Sequence, residues 1–472
     1  MKTDTIAAIA TAVSDSGIGI IRISGEEAIK IADGLYRSKN GKKKLSQVAS
    51  HTIHYGFLYD GDEMIDEVMV AVMKAPNTYT KENTVEIDCH GGMLVMHRVL
   101  EAALRHGCRL AEPGEFTKRA FLNGRIDLSK AEAVMDMIHS KNEFAMKASL
   151  NQLKGAVSDK VRSLRDEIIY EIAFIESALD DPEHISLDGY HEKLEEKTDR
   201  LLAELKKLID SADNGKLLKD GINTVIVGKP NAGKSSLLNL LVGEDKAIVT
   251  SVAGTTRDVL EESIRLHGIG LNIIDTAGIR DTEDEVERIG VEKARKYANN
   301  ADLVIYVVDS SCPLDANDEE IIELIRDKKV IVLLNKTDLD TQVTKEDMKK
   351  RFRKIYEDTP NAYEKQSLHI IKTSTKENTG IDEFEETIKD MFFEGRIAVN
   401  DEIYITSKRH KEALMQAFES MQMVKRSLAD DMPEDFYSID LMSAYASLGR
   451  IIGEEVEDDL VNEIFSKFCM GK

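Results

Sequence analysis

Residues 224–241 read TVIVGKPNAGKSSLLNLL, and the architecture of the region around them follows from this stretch. Its first four residues, Thr224–Val227, are typical of a buried strand, and its last six, from Ser236, have helical character. Between them, Gly228–Ser235 matches the pattern G-x-x-x-x-G-K-[ST]. In that pattern backbone N–H groups wrap phosphate oxygens, and the start of the following helix adds a favourable dipole. The stretch therefore predicts a phosphate-binding loop between a strand and a helix.

Further strand candidates follow this loop, with helical patterns between them. They are Leu271–Ile274, Leu303–Val308, Val330–Leu334 and His369–Lys372. Strands that alternate with helices favour a parallel sheet with crossover helices. We therefore predict an α/β domain over residues 216–385.

Motifs after two of these strands indicate which nucleotide binds. Asp275–Gly278 reads D-T-A-G, where the aspartate can hold a Mg²⁺ shell and the glycine can sense a γ-phosphate. Asn335–Asp338 reads N-K-T-D, and a carboxylate at Asp338 can accept hydrogen bonds from the ring N–H and the exocyclic amine of guanine. Adenine lacks that amine and would leave a buried carboxylate unpaired. The motifs together predict a GTP-hydrolysing enzyme.

Two weaker motifs complete the predicted site. Ser374–Lys376 suits a backbone contact to the guanine carbonyl, and Thr256, within Gly254–Asp258, would ligate Mg²⁺ together with Ser235. Lys234 would reach the outer phosphates. The predicted GTP contacts are Asn231, Ala232, Gly233, Lys234, Ser235, Ser236, Thr250, Ser251, Val252, Ala253, Gly254, Thr255, Thr256, Asp275, Thr276, Ala277, Gly278, Asn335, Lys336, Asp338, Ser374, Thr375 and Lys376.

The group that orients the attacking water is not evident from these motifs. Many GTPases carry a glutamine directly after D-x-x-G, but this chain has Ile279, which cannot do that work. The acidic segment Glu283–Glu287 is the obvious source of a replacement carboxylate. The alternative interpretation is that this segment is a solvated loop without a catalytic role. Arg257 and Arg280 are both open candidates for an arginine finger.

The regions outside the α/β domain have a different texture. Residues 1–118 carry strand candidates at Ile18–Ile23, Glu67–Met73 and Thr84–Cys89, and a helix at Met93–Arg105, which together indicate an α+β domain. Residues 119–215 and 386–472 show helical spacing of apolar residues. We therefore predict a multidomain chain, with the GTPase domain inserted into a helical domain.

The charge and the cysteine content limit which classes of protein are compatible with the sequence. Of 472 residues, 63 are Lys or Arg and 86 are Asp or Glu, which gives a formal charge of −23 and disfavours direct binding to bulk polyanions. The four cysteines form no C-x-x-C pair, which favours a reducing compartment, so we expect a cytoplasmic protein. No apolar run reaches the roughly 20 residues of a membrane helix, so we expect no membrane association.

Motifs along the whole chain resemble those of the tRNA-modifying GTPase family MnmE (also called TrmE). Besides the GTPase motifs, the resemblance is carried by Asp4–Thr11, Gly19–Gly25, Val85–Gly92, Pro113–Arg125 and Phe468–Lys472. It implies an amino-terminal domain that binds 5-formyl- or 5,10-methylene-tetrahydrofolate and forms a homodimer. The implied folate contacts are Arg22, Glu86, Arg125 and Lys472. The role of Cys469 beside them stays open, with packing favoured over catalysis.

The resemblance also implies how hydrolysis proceeds. Potassium would bind Asn231, Thr250, the carbonyl oxygen of Val252, and Thr255, and would replace an arginine finger when two G domains meet. Glu287 would orient the catalytic water. The potassium ligands and the role of Glu287 are both implied by the family resemblance, and the spacing of residues in this chain does not by itself indicate them.

The implied function is addition of a carboxymethylaminomethyl or aminomethyl group to C5 of the wobble uridine of tRNA. The family acts with a flavoprotein, MnmG (GidA), which would hold FAD and much of the tRNA. The alternatives are a ribosome-assembly or regulatory GTPase switch, and a folate enzyme regulated by its G domain. A ribosome-assembly factor would need a basic appendage with aromatic residues, whereas Lys42–Lys44 and Lys349–Lys354 are short clusters better explained as solvated faces. The sequence does not say which tRNAs are modified or whether glycine or ammonium supplies the nitrogen.

Overall fold

The computed structural model divides the chain into two compact units. The first comprises Met1–Ile138, Ser149–Leu205 and Glu412–Lys472, and the second His139–Ala148 and Lys206–Lys411. The finer predicted bounds, at residues 118, 215 and 385, stay predictions. The described residues are 4–140, 142–244, 262–266, 269–274, 301–326, 328–355, 368–393, 403–454, 456, 458–468 and 471.

The amino-terminal part of the first unit is built on a seven-stranded sheet of order β3-β4-β5-β6-β2-β1-β7. Its strands are antiparallel except where β7 joins β1. The strands are β1 Ile6–Ile9, β2 Ser16–Ser24, β3 Tyr36–Ser38, β4 Thr52–Asp60, β5 Glu63–Met73, β6 Thr84–Gly91 and β7 Arg109–Leu110.

One face of this sheet is covered by helices α1 (Ala28–Leu35) and α2 (Met93–Arg105). The alternation of strand residues places Ile21 and Ile23 in the core with the apolar residues of those helices. Arg22 then lies on the opposite face, where it is directly across from Glu86 in the register of β2 and β6. The predicted α+β character is confirmed, and the predicted helix Met93–Arg105 has the observed bounds.

The rest of the first unit is helical. Gly155, at φ 113°, directly precedes α6, and that helix ends before Asp181. The helices outside the second unit's sheet are α3 Glu115–Leu122, α4 Leu128–His139, α5 Glu143–Lys154, α6 Ala156–Asp180, α7 Tyr190–Asp220, α12 Lys408–Ala429, α13 Glu434–Ile452 and α14 Asp458–Ser466.

The helical stretches on the two sides of the α/β domain pack against each other. The hydroxyl of Ser438 on α13 donates to Glu176 on α6 at 2.9 Å. The guanidinium of Arg165 on α6 lies 3.9 Å from the ring centroid of Tyr445 on α13 and forms an ion pair with Glu454. This packing confirms that the α/β domain is inserted into a helical domain.

The second unit contains a six-stranded sheet of order β13-β12-β11-β8-β10-β9, parallel except for β9. Apolar clusters cover both faces, one with α8 and α11 and one with α9 and α10. The strands are β8 Ile222–Val227, β9 Glu262–Leu266, β10 Ile269–Ile273, β11 Leu303–Asp309, β12 Val330–Asn335 and β13 His369–Lys372, and the helices are α8 Lys234–Glu244, α9 Ala316–Leu324, α10 Lys345–Ile355 and α11 Ile381–Phe393. The predicted parallel α/β domain is confirmed.

Across the described part of the chain, no helix is both long enough and apolar enough to traverse a bilayer.

Candidate nucleotide site and a second polar pocket

The predicted phosphate loop connects β8 to α8, and two of its glycines are required by their surroundings. Gly228 has φ 150°, and a Cβ there would lie 2.2 Å from the carbonyl oxygen of Val307. Gly233 has φ 103°, and a Cβ there would lie 2.1 Å from Nδ2 of Asn335. Any larger residue would push the loop away from β11 and β12, so the tight turn depends on these glycines.

Lys234 is the first residue of α8, and its ammonium group lies inside the loop. Its Nζ donates to the carbonyl oxygens of Gly228 at 2.7 Å and Lys229 at 2.8 Å. Burial lowers the pKa of Lys234. Phosphate oxygens carry more negative charge than these carbonyls and would be stronger acceptors for the same ammonium group.

Asn335, at the end of β12, joins three loops. Its Nδ2 donates to the carbonyl oxygen of Ala232 at 2.9 Å, and its Oδ1 accepts from the N–H of Thr375 at 3.1 Å. The residue is 1% exposed, so both bonds are shielded from water. One amide side chain therefore fixes the phosphate loop and the S-T-K loop to the N-K-T-D loop.

Asp338 is held as an acceptor at the same edge of the sheet. Its Oδ1 accepts from the hydroxyl of Ser374 at 2.7 Å, and the ammonium of Lys376 lies 3.9 Å from its Oδ2. The Ser374 hydrogen bond is the main cause that holds the pKa of Asp338 below its ordinary value. An ionised carboxylate of this kind can accept from two N–H donors of guanine.

Asp309 is a site residue that the sequence reasoning missed. Its Oδ2 lies 2.6 Å from Nζ of Lys336, and its Oδ1 accepts from the N–H and the hydroxyl of Ser311. Burial acts to raise the pKa of Asp309, but the bonds from Lys336 and Ser311 outweigh it and lower the pKa. Its position at the carboxyl end of a parallel strand was the available signal.

Several residues that the sequence analysis singled out lie outside the described residues. They are Thr250, Ser251, Val252, Ala253, Gly254, Thr255, Thr256, Asp275, Thr276, Ala277, Gly278, Glu287, Cys469 and Lys472. Asn231, Ser235 and Ser236 are described and exposed, and Ser235 and Ser236 lie in the first turn of α8.

A second polar group, called the Arg22 pocket below, lies on the amino-terminal sheet and comprises Arg22, Tyr79, Glu86 and Arg125. Nε of Arg22 is 2.7 Å from Oε1 of Glu86, and Nη1 of Arg22 donates to the carbonyl oxygen of Gly471 at 3.1 Å. The ring of Tyr79 lies near two arginines, with its centroid 5.9 Å from Cζ of Arg22 and 4.7 Å from Cζ of Arg125.

Arg22 thus contacts Glu86, and Arg22 and Arg125 both lie near the ring of Tyr79. The assignment of Arg22, Glu86 and Arg125 as folate contacts, which the family resemblance implies, stays a prediction. Gly471, the neighbour of Lys472, is buried, and a Cβ there would lie 2.3 Å from the carbonyl oxygen of Ile9. Tyr79 and Gly471 were missed. A tyrosine in a polar loop carries no local signal, because its partners come from distant segments.

The parallel sheet, with the phosphate, N-K-T-D and S-T-K loops at one edge, defines the class of protein. It is a P-loop GTPase, an enzyme that hydrolyses GTP. The family model for the GTP-binding protein TrmE N-terminus matches residues 5–125, and the MnmE helical domain model matches residues 128–469. The chain belongs to the MnmE (TrmE) family.

Relatives match over the full length. The protein of Lachnoclostridium phytofermentans named tRNA modification GTPase MnmE is 56% identical, with 100% of each chain covered. Those of Clostridioides difficile and Bacillus subtilis, which carry the same name, are 47% identical (99% of each chain) and 46% identical (99% of this chain and 100% of theirs). Among solved structures, the G domain of the FeoB iron transporter of T. maritima covers 36% of this chain and 97% of its own at 26% identity, with a TM-score of 0.24. The family assignment therefore rests on the family models and the full-length relatives.

Proposed function

We propose that this chain hydrolyses GTP to drive tRNA modification, in which a carboxymethylaminomethyl or aminomethyl group is built on C5 of the wobble uridine. The flavoprotein MnmG is the proposed partner and would supply FAD and NADH chemistry. The carrying observation is the convergence of the phosphate, N-K-T-D and S-T-K loops through Asn335, in a chain that matches MnmE proteins end to end. The reducing cytoplasm is the proposed compartment.

The proposed GTP site is divided by task. Backbone N–H groups of Asn231–Ser235 and the ammonium of Lys234 bind phosphates, and Asp338 with Ser374–Lys376 selects guanine. Ser235 and Thr256 would hold Mg²⁺, which neutralises phosphate charge when bound. Glu287 would orient water. The polar oxygen donors at these positions suit a hard cation.

Potassium is the proposed activating ion, bound by Asn231, Thr250, the Val252 carbonyl and Thr255. Asn231 has φ 59°, a left-handed conformation that asparagine tolerates better than most residues. Its exposed amide oxygen is the kind of ligand that K⁺ accepts. The ion would act where two G domains of a homodimer meet.

Steady-state GTP hydrolysis in KCl and in NaCl at equal ionic strength tests this mechanism. We expect K⁺ to accelerate hydrolysis by about tenfold or more, which corresponds to roughly 1.4 kcal/mol of transition-state stabilisation. Asn231→Ala should lose the acceleration, whereas Asn239→Ala, at an exposed position of α8, should keep it. Equal slow rates in both salts would remove the potassium mechanism and favour a simple GTPase switch.

The pocket around Arg22 is proposed to bind 5-formyl- or 5,10-methylene-tetrahydrofolate. The contacts would be Arg22, Glu86, Arg125 and Lys472. A carboxylate such as Glu86 can read the donors of a pterin, and arginines pair with the glutamate tail in bidentate fashion. The placement of two arginines near the Tyr79 ring supports an anionic ligand that carries a planar ring at this place.

Calorimetric titration with 5-formyl-tetrahydrofolate tests the folate proposal. Arg22→Met should weaken binding by about tenfold or more, the usual scale for losing a charge-assisted bond. Arg37→Met is the matched control, because Arg37 lies 4.0 Å over the ring of Tyr59 on another strand of the same sheet and should bind as the wild type does. Unchanged affinity in Arg22→Met would contradict the assignment.

A further inference from the structure

Lys229 connects the phosphate loop to a polar group behind it. Its Nζ lies 2.7 Å from Oδ2 of Asp318 and 3.1 Å from Oδ2 of Asp315. Its carbonyl oxygen accepts from Nζ of Lys234 at 2.8 Å and from the N–H of Ala232 at 3.3 Å. The two ends of one residue therefore bind the helix α9 region on one side and the phosphate-binding lysine on the other.

The carboxylate of Asp318, which pairs with Lys229, is fixed in position by further hydrogen bonds. It is 1% exposed, and besides Lys229 it accepts from the hydroxyl of Tyr306 at 2.7 Å and from the N–H of Asp315 at 2.9 Å. Tyr306 is fully buried on β11, so its ring fixes the position of the carboxylate. Asp315 and Asp318 also form the capping box of α9.

Such a buried ion pair differs from the exposed pairs elsewhere in the domain. Removing one partner of a buried pair leaves the other charge uncompensated and shielded from water, whereas the charges of an exposed pair are screened by water. The Lys229 side chain is 18% exposed and that of Asp318 is 2% exposed. Fixed partners of this kind restrict a loop to one conformation.

We propose that Lys229 and Asp318 are positioning residues for the phosphates of the bound nucleotide. Their ion pair holds the Lys229 carbonyl oxygen, and through it the ammonium of Lys234, at the place where the outer phosphates bind. The pair therefore sets affinity for the phosphates and does not touch the substrate. This proposal rests on the assignment of Gly228–Ser235 as the phosphate site.

The first test measures binding of fluorescent N-methylanthraniloyl-GDP to the full-length chain. Lys229→Met should weaken affinity about tenfold, the scale of one charge-assisted hydrogen bond, and Lys229→Arg should recover most of it. Lys345→Met is the matched control, because Lys345 pairs with Glu383 at 3.5 Å on the exposed surface of the same domain. It should bind as the wild type does.

A double-mutant cycle identifies the pair itself. Asp318→Asn should weaken binding in the same direction, and Lys229→Met with Asp318→Asn should bind no more weakly than Lys229→Met alone. Losses that simply add would overturn the coupling. In steady state, Lys229→Met should raise KM for GTP and leave kcat within about twofold, as expected for an effect on binding.

Two further variants separate the possible failures. If Lys234→Ala binds the fluorescent GDP as the wild type does, the phosphate-site assignment itself is wrong. If Lys234→Ala loses binding while Lys229→Met keeps it, only the positioning role is overturned. Tyr306→Phe removes a single hydrogen bond to Asp318 and provides a milder test should Lys229→Met not fold; a lower melting temperature with unchanged affinity in that variant would also overturn the proposal.

Discussion

Two histidines on the amino-terminal sheet have pKa values shifted in opposite directions. Nδ1 of His90 donates to Oδ1 of Asp66 at 2.7 Å, and this bond raises the pKa of His90 above the ordinary 6.5. Burial, with the charge of Lys43, lowers the pKa of His54 below 6.5. The stabilisation from charged His90 is therefore present below pH 6.5 and lost as pH rises through its folded-state pKa. The stabilisation from neutral His54 is present above pH 6.5, and it is lost as pH falls through the folded-state pKa of His54.

We expect an NMR titration of the imidazole protons to resolve the two. Asp66→Asn should return the pKa of His90 towards 6.5 and leave the pKa of His54 unchanged, because burial and the charge of Lys43 set the shift of His54. Two superimposed titrations in the wild type would contradict both assignments.

At the residue scale, local motifs were predictable and long-range partners were not. Lys234 could be assigned to the phosphate loop because the pattern G-x-x-x-x-G-K-[ST] lies within eight consecutive positions, Gly228–Ser235. Lys229 lies in the same loop, but its partner Asp318 is 89 positions away. Their meeting depends on β8 and β11 becoming neighbours, which no local pattern specifies.

At the scale of elements, the helix ends carry part of the stability. Helix α13 is capped at its carboxyl end by Gly453, which has φ 87° and donates its N–H to the carbonyl oxygen of Gly449. A Cβ at this position would lie 2.9 Å from Cβ of Leu128 and 2.9 Å from the ring of Phe121. Gly453→Ala therefore faces both left-handed backbone strain and a steric clash.

We expect Gly453→Ala to reduce the free energy of unfolding by more than the roughly 1–2 kcal/mol of backbone strain alone, measured by urea denaturation. Gly189→Ala is the matched control, because Gly189 has φ 67° and nothing lies within 4 Å of its Cβ direction. It should lose only the strain energy. Equal losses in the two variants would show that the contact with Leu128 and Phe121 relaxes without cost.

Strong periodicity made some elements predictable and weak periodicity hid others. The bounds of α2 and β13 follow directly from their apolar patterns. The strand β4, Thr52–Asp60, was not singled out, because His54 and Gly56 occupy its inward positions where apolar residues would mark a strand.

At the scale of the whole molecule, the charge of −23 bears on how RNA is engaged. Binding of tRNA needs cations that neutralise phosphates, and this chain carries an excess of carboxylates. We therefore expect the isolated chain to bind tRNA at least about tenfold more weakly than a complex with the proposed flavoprotein partner. Gel-shift titrations at one fixed salt concentration measure the difference, and tight binding by the chain alone would contradict the proposed division of labour.

The insertion of the α/β domain also belongs to this scale. Helical spacing before and after residues 216–385 predicted two helical stretches, but periodicity does not say which distant helices touch. The contacts of Arg165 and Glu176 on α6 with α13 supply that information.

The bond between Arg22 and Gly471 joins positions 449 residues apart. The ribosome releases Arg22 early, yet Arg22 gains its bond to Gly471 only when position 471 has emerged. A chain that stops anywhere between residues 377 and 470 retains every predicted GTPase motif and lacks the bond from Arg22 to Gly471. Occupancy of the Arg22 pocket would thus distinguish chains that include Gly471 from chains that stop before it.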